Sequence, residues 1–115
     1  MKQLVFVYGT LLRGEANAGE LVNAQYLGAH KTDAVFTMLD LGAYPAVVLG
    51  GDTAIAGEVF AVDAATLSRL DSFEDHPDEY SRIEIMTPFG EAWIYTYRTT
   101  PATAAVIVSG DWRHR

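Results

Sequence analysis

Apolar and polar positions in this chain follow a period of two far more often than the longer period of a helix. From residue 3 to 8, Leu4, Phe6 and Tyr8 alternate with Val5 and Val7, so both faces are apolar, as in a strand buried on both sides. The run stops at Gly9. "KTDAVFTM" at 31–38 contains a β-branched and aromatic stretch, and another strand is predicted just before the turn signal "GGD" at 50–52. "IAGEVFAV" at 55–62 then reads as the returning strand of a hairpin. Two further strands, 80–86 and 91–98, flank "TPFG", and in the second of them Trp93, Tyr95 and Tyr97 share a face.

Helical spacing is confined to two places. Residues 17–23 fit one short helix, and "DAATLSRLDSFE" at 63–74 fits a longer one. Asp63 is suited to cap the longer helix by accepting a backbone N–H bond. Pro77 should end it, because a residue before proline avoids helical angles. Many strands, few helices and short turns predict an α+β fold, a curled or closed sheet with helices packed on it. No repeat or linker-like shift in composition divides the chain, so residues 1–115 are expected to form one domain.

Composition narrows the classes of function. Fifteen acidic residues stand against 8 basic ones, a net charge of −7, and no basic run is available to neutralise phosphates, so a nucleic-acid partner is not expected. With 0 cysteines there is no disulfide, thiolate metal site or cysteine nucleophile. The apolar stretch after "MKQ" is shorter than a signal-peptide core, and no segment approaches a membrane helix, so a cytoplasmic protein without a membrane partner is expected. His30, His76 and His114 lack metal-ligand spacing, and Ser68, Ser72, Ser81 and Ser109 lack a nucleophile-elbow signature. The glycines match neither a P-loop nor a dinucleotide fingerprint.

Two places remain where chemistry could reside. A strand ending in a glycine turn presents backbone N–H groups without ladder partners. At Gly9 a sharp bend and a close ligand approach are both open to the chain, though on the glycine alone the plainer reading is that it merely turns the chain. At 100° per residue, Leu67, Leu70 and Glu74 fall within one arc of the 63–74 helix, which sets a carboxyl in an apolar stripe. Desolvation there raises a glutamate from its usual value of about 4.3 toward neutrality, where it can both take and return a proton. If the helix frays before Asp71, Glu74 instead points into water. Glu58 is expected to pair with Arg82 rather than face a pocket, and Tyr80, Tyr95 and Tyr97 to be core residues with hydroxyls at the rim.

At these same residues the sequence resembles the γ-glutamylcyclotransferase-like family, which includes the γ-glutamylamine cyclotransferases and small bacterial AIG2-like relatives. "VFVYGTLLRGEAN" is similar to the family's opening motif, "YPAVV" at 44–48 and "GEVFAVD" at 57–63 to its middle, and "LDSFEDHPDEYSR" at 70–82 to its "FE" segment. "TPFGEAWIYTY" and "SGDW" resemble the bacterial members. The resemblance implies a small mixed β-barrel with flanking short helices. It also implies a reaction: a γ-glutamyl amide is cleaved by its own α-amine to 5-oxoproline and a free amine, without cofactor or metal. It assigns the acid/base to Glu74, substrate holding to Tyr8, Gly9, Thr10 and Leu11, and a place at the pocket edge to Tyr80. Thr10 stands where many relatives have serine and keeps the hydroxyl. The expected partner is a small γ-glutamyl amide, and the expected state a monomer or weak homodimer. A non-catalytic module binding an amino-acid-like or carboxylate ligand in the same cavity is the alternative, and a subunit active only within a complex is a third.

Overall fold

The computed structural model describes residues 2–99 and 103–115. Among them the chain forms eight strands and one α-helix: β1 (Gln3–Val7), β2 (Gln25–Lys31), β3 (Phe36–Asp40), β4 (Pro45–Leu49), β5 (Ala56–Val62), α1 (Ala64–Phe73), β6 (Tyr80–Thr87), β7 (Gly90–Tyr97) and β8 (Ala105–Val106). Short 3-10 turns occupy Ala18–Leu21 and Trp112–His114.

The strands make two sheets. One has five strands in the order β2-β5-β1-β7-β6, and the other three in the order β4-β3-β8. β1 lies at the middle of the larger sheet, antiparallel to β5 and parallel to β7. Its doubly apolar pattern has a direct counterpart. Val5 and Val7 join a cluster with Leu67 and Leu70 of α1, whereas Phe6 and Tyr8 join a second cluster with Met38, Val47, Ile55 and Trp112. Trp93, Tyr95 and Tyr97 of β7 all contribute to the first cluster, with Ala92 and Ile94 in the second.

Three expectations are corrected. Neither sheet closes into a barrel. β4 lies against β7, but β1 and β6 already pair both edges of β7, so β4 packs on it without a ladder. The strand at 55–62 does not return against β4. It pairs with β1 and β2 in the other sheet, while β4 forms its hairpin with β3. The stretch at 31–38 divides between the end of β2 and the start of β3, whereas the short helix expected at 17–23 is present as the 3-10 helix Ala18–Leu21. The hairpin of β6 and β7 across Thr87–Gly90 is as the pattern predicts.

Candidate active site

α1 begins where Asp63 Oδ1 accepts from the Thr66 N–H at 2.7 Å, and the first candidate side chain stands at its other end. Glu74 is the C-cap. Asp75 follows at φ 53, in the left-handed region that aspartate tolerates better than most residues. The Asp75 N–H then reaches the Ser72 carbonyl at 3.2 Å and the His76 N–H the Asp71 carbonyl at 2.8 Å, the two bonds of a Schellman motif. Glu74 is therefore held by a closed helix terminus rather than on a fraying turn.

A charged cluster beneath that terminus orients it further. Arg82 of β6 donates to Asp71 through Nε at 2.8 Å and a second guanidinium nitrogen at 3.1 Å, and the Tyr95 hydroxyl donates at 2.6 Å. Burial pushes the Asp71 carboxyl upward, but these hydrogen bonds outweigh it and hold the group below its usual range. The guanidinium also lies over the Trp93 ring, 4.4 Å from its centroid.

Glu74 opens onto a cavity of about 170 Å³ between the end of β1, the end of α1 and the starts of β4 and β6. Tyr8, Gly9, Thr10, Leu11, Glu74 and Tyr80 all line it. Asn17, Tyr44, Pro45, Phe73, Glu79 and Tyr95 line it as well, none of which the sequence marked as a binding residue. "YPAVV" and the "FE" pair carried Tyr44, Pro45 and Phe73 in plain view. Glu79 lies within the quoted 70–82 segment too, but in its aperiodic part after the helix, where no spacing gives the side chain a direction.

Another part of the cavity wall is a turn closed by the Leu12 N–H on the Gly9 carbonyl at 3.0 Å, with Thr10 and Leu11 at its centre. Among the described residues the N–H groups of Gly9, Thr10 and Leu11 have no acceptor. Asn17 secures the turn, donating its backbone N–H to the Thr10 carbonyl at 2.8 Å and its side-chain amide to Thr10 Oγ1 at 2.9 Å. The Thr10 hydroxyl proton is thereby left for another acceptor. Gly9 answers a different need from the one its sequence position suggests. Its φ is not left-handed, but a Cβ there would stand 2.6 Å from Pro45 Cγ, so the glycine lets the turn seat on the proline ring.

The cavity tyrosines are committed elsewhere. Tyr8 donates its hydroxyl to the Tyr95 carbonyl at 2.7 Å, and Tyr80 to the Pro45 carbonyl at 3.1 Å. Burial above all, with nearby negative charge, drives both phenols upward, so they stay protonated. Burial is also the main reason that the Glu74 carboxyl is raised to about 7, with repulsion from Glu79 adding to it. Glu58 does not pair with Arg82. Only 4% exposed, it accepts from the Arg13 backbone N–H at 2.9 Å and from Arg13 Nε at 3.2 Å, with Arg113 3.7 Å away. β5 and β6 lie at separate positions in the sheet, and Arg82 is already taken by Asp71. Among the described residues no group of three His, Asp or Glu side chains gathers as around a metal ion, and no helix is long and apolar enough to cross a membrane.

Comparison with known proteins decides the family. The family model described as "Gamma-glutamyl cyclotransferase, AIG2-like" matches residues 5–114. The chain belongs to this family. Within it, a Vibrio cholerae protein provisionally named a gamma-glutamylcyclotransferase is 50% identical over 115 residues, covering 100% of this chain and 99% of its own length. The Escherichia coli gamma-glutamylcyclotransferase family protein YtfP is 40% identical, over 96% of each chain. Among solved structures, the AIG2-like protein of Mus musculus superposes with a TM-score of 0.83 at 28% identity, over 96% of this chain and 88% of its own. The two family motifs that surround Tyr8 and Glu74 thus line one cavity.

Proposed function

We propose that this family member is a γ-glutamyl amide cyclotransferase in which Glu74 is the general acid and base. Glu74 takes a proton from the substrate's α-ammonium. The freed nitrogen attacks the γ-carbonyl carbon, forming the ring C–N bond, and negative charge develops on the γ-oxygen. The ring nitrogen sheds its second proton to solvent as the intermediate collapses. The bond to the leaving nitrogen breaks while Glu74 returns its proton there, giving 5-oxoproline and a free amine. A carboxyl titrating at about 7 is divided between both forms at neutral pH and suits both halves of the cycle.

Ring closure is intramolecular, so the protein's main task is to hold the glutamyl chain folded with nitrogen near carbon. The free amides of Gly9, Thr10 and Leu11, with the Thr10 hydroxyl, are the uncommitted donors on the buried wall among the described residues. They receive the substrate's negative oxygens. Tyr8 and Tyr80 shape the pocket and brace its strands. The observation that carries the reading is the pairing, in one cavity, of a carboxyl raised by burial with these unpaired amides.

The test is Glu74→Gln, which keeps the shape and removes the base. Release of 5-oxoproline from a panel of γ-glutamyl amides, followed by mass spectrometry, should fall by about 10²-fold or more while the circular dichroism spectrum is kept. A folded variant of undiminished activity would take the proton carrier away from position 74.

A further inference from the structure

The amides of Gly9, Thr10 and Leu11 have no acceptor among the described residues, so nothing on the donor side fixes their direction. A donor stabilises an incoming oxygen most where its position is set before the oxygen arrives. Inside the loop two bonds act on the carbonyl side, from the Leu12 N–H to Gly9 and from the Asn17 N–H to Thr10. A third hold comes from Glu58, a buried carboxyl that is not among the cavity-lining residues and that the proposed cyclisation does not use.

Glu58 ties both ends of the loop to β5. It is the ladder partner of Val7, the last residue of β1, so the chain leaves the sheet beside it. The loop then returns to the same residue: the Arg13 N–H donates to Glu58 Oε1 at 2.9 Å and Arg13 Nε to Oε2 at 3.2 Å. The Arg13 guanidinium lies over the Tyr26 ring of β2, 3.5 Å from its centroid. The Arg13 carbonyl is taken by Arg113 of the C-terminal turn, which also stands 3.7 Å from Glu58. Both polar groups of the Arg13 backbone are therefore held from outside the loop. An ion pair with a buried member adds little net stability, because desolvation offsets the attraction; what it can set is one arrangement of the chain.

We infer that Glu58 is a positioning residue of the site: together with Arg113 it holds Arg13, and through Arg13 it fixes the direction in which the amides of residues 9–11 point. Leu11 and Leu12, between the clamp and the turn, are buried in the first hydrophobic cluster. Movement at Arg13 is thus passed on to the turn rather than absorbed by a free segment. The inference rests on the cyclotransferase reading for what the amides receive, and on the hydrogen bonds alone for the hold on the loop.

The experiment compares Glu58→Ala, Glu58→Gln and Arg113→Ala with the unaltered protein, by NMR relaxation of the backbone amides and by calorimetric titration with 5-oxoproline. In Glu58→Ala the order parameters of residues 10–13 should fall from about 0.85 toward about 0.6, with those of β1 and β5 unchanged. The dissociation constant for 5-oxoproline should rise by about tenfold at unchanged stoichiometry, because the loosened loop must be ordered on binding. Glu58→Gln keeps an acceptor for the Arg13 N–H and should recover part of both effects. Arg113→Ala should move both in the direction of Glu58→Ala. A lowered stoichiometry with an unchanged constant would mean that Glu58 only supports the fold, and unchanged order parameters that the loop holds itself; either overturns the inference. Should Glu58→Ala not fold, Arg113→Ala, altered at an exposed residue, decides by the same readings. If the unaltered protein neither releases nor binds 5-oxoproline, the cyclotransferase reading fails separately. The order parameters, which need no ligand, then still support or overturn the hold of Glu58 on the loop.

Discussion

At the scale of single residues, the burial that raises the Glu74 carboxyl also sets its effect on stability. Its value in the folded protein, about 7, lies above the ordinary 4.5, so the folded state holds the proton more tightly than the unfolded one. The resulting stability is fully present below about 4.5 and is lost as pH rises through about 7. Glu74→Gln carries no such titration. Thermal melts should show the variant close to the unaltered protein at pH 4 and more stable at pH 8.5, by on the order of 3 kcal/mol or roughly 10 °C. Equal melting temperatures at pH 8.5 would mean that the carboxyl ionises without penalty. Glu74 was legible because helical spacing with Leu67 and Leu70 carries a direction. Glu79, five residues on, was not, because the chain between helix and strand has no period from which a direction can be read.

At the scale of elements, the turn after β1 takes its shape from its neighbours. Gly9 sits against Pro45, the first residue of β4, and a methyl group at position 9 would meet the proline ring at 2.6 and 2.7 Å. Gly9→Ala should therefore destabilise by about 1–3 kcal/mol through overpacking. Pro45→Ala removes the ring atoms that clash, so the double variant should be more stable than the sum of the single changes by about 1 kcal/mol in a urea double-mutant cycle. Strict additivity would show that Gly9 serves the turn alone. Such contacts explain what sequence could convey about elements. The doubly apolar run of β1, the shared aromatic face of β7 and the turn between β6 and β7 are properties of each segment and were readable. β2 has mixed burial along its length, and the partner of β5 was chosen by sheet order, which no local pattern records. The pairing of Glu58 with Arg13 likewise depends on the loop folding back over β5.

At the scale of the whole molecule, the two open sheets are joined by shared packing and by the C-terminal turn. The second hydrophobic cluster draws Phe6 and Ile94 from the larger sheet, Met38 and Val47 from the smaller, and Trp112 from the last turn of the chain. The next residue, Arg113, donates to the Arg13 carbonyl and lies 3.6 Å from Glu15, so this turn also fastens the loop beside the cavity. A barrel would have joined its strands by a continuous ladder; here side chains do that work, and the sheets must unfold together. Trp112 is 3% exposed, and Trp112→Ala should cost about 3–5 kcal/mol, a large share of the about 5–15 kcal/mol typical of native proteins. Trp93, on the opposite face of the larger sheet, remains as a fluorescent reporter. In urea, its emission and the far-ultraviolet circular dichroism should shift together, by about 1 M or more from the unaltered protein. If the circular dichroism change instead preceded the Trp93 change, the smaller sheet would be unfolding by itself. The second cluster would then not bind the two sheets into one cooperative unit.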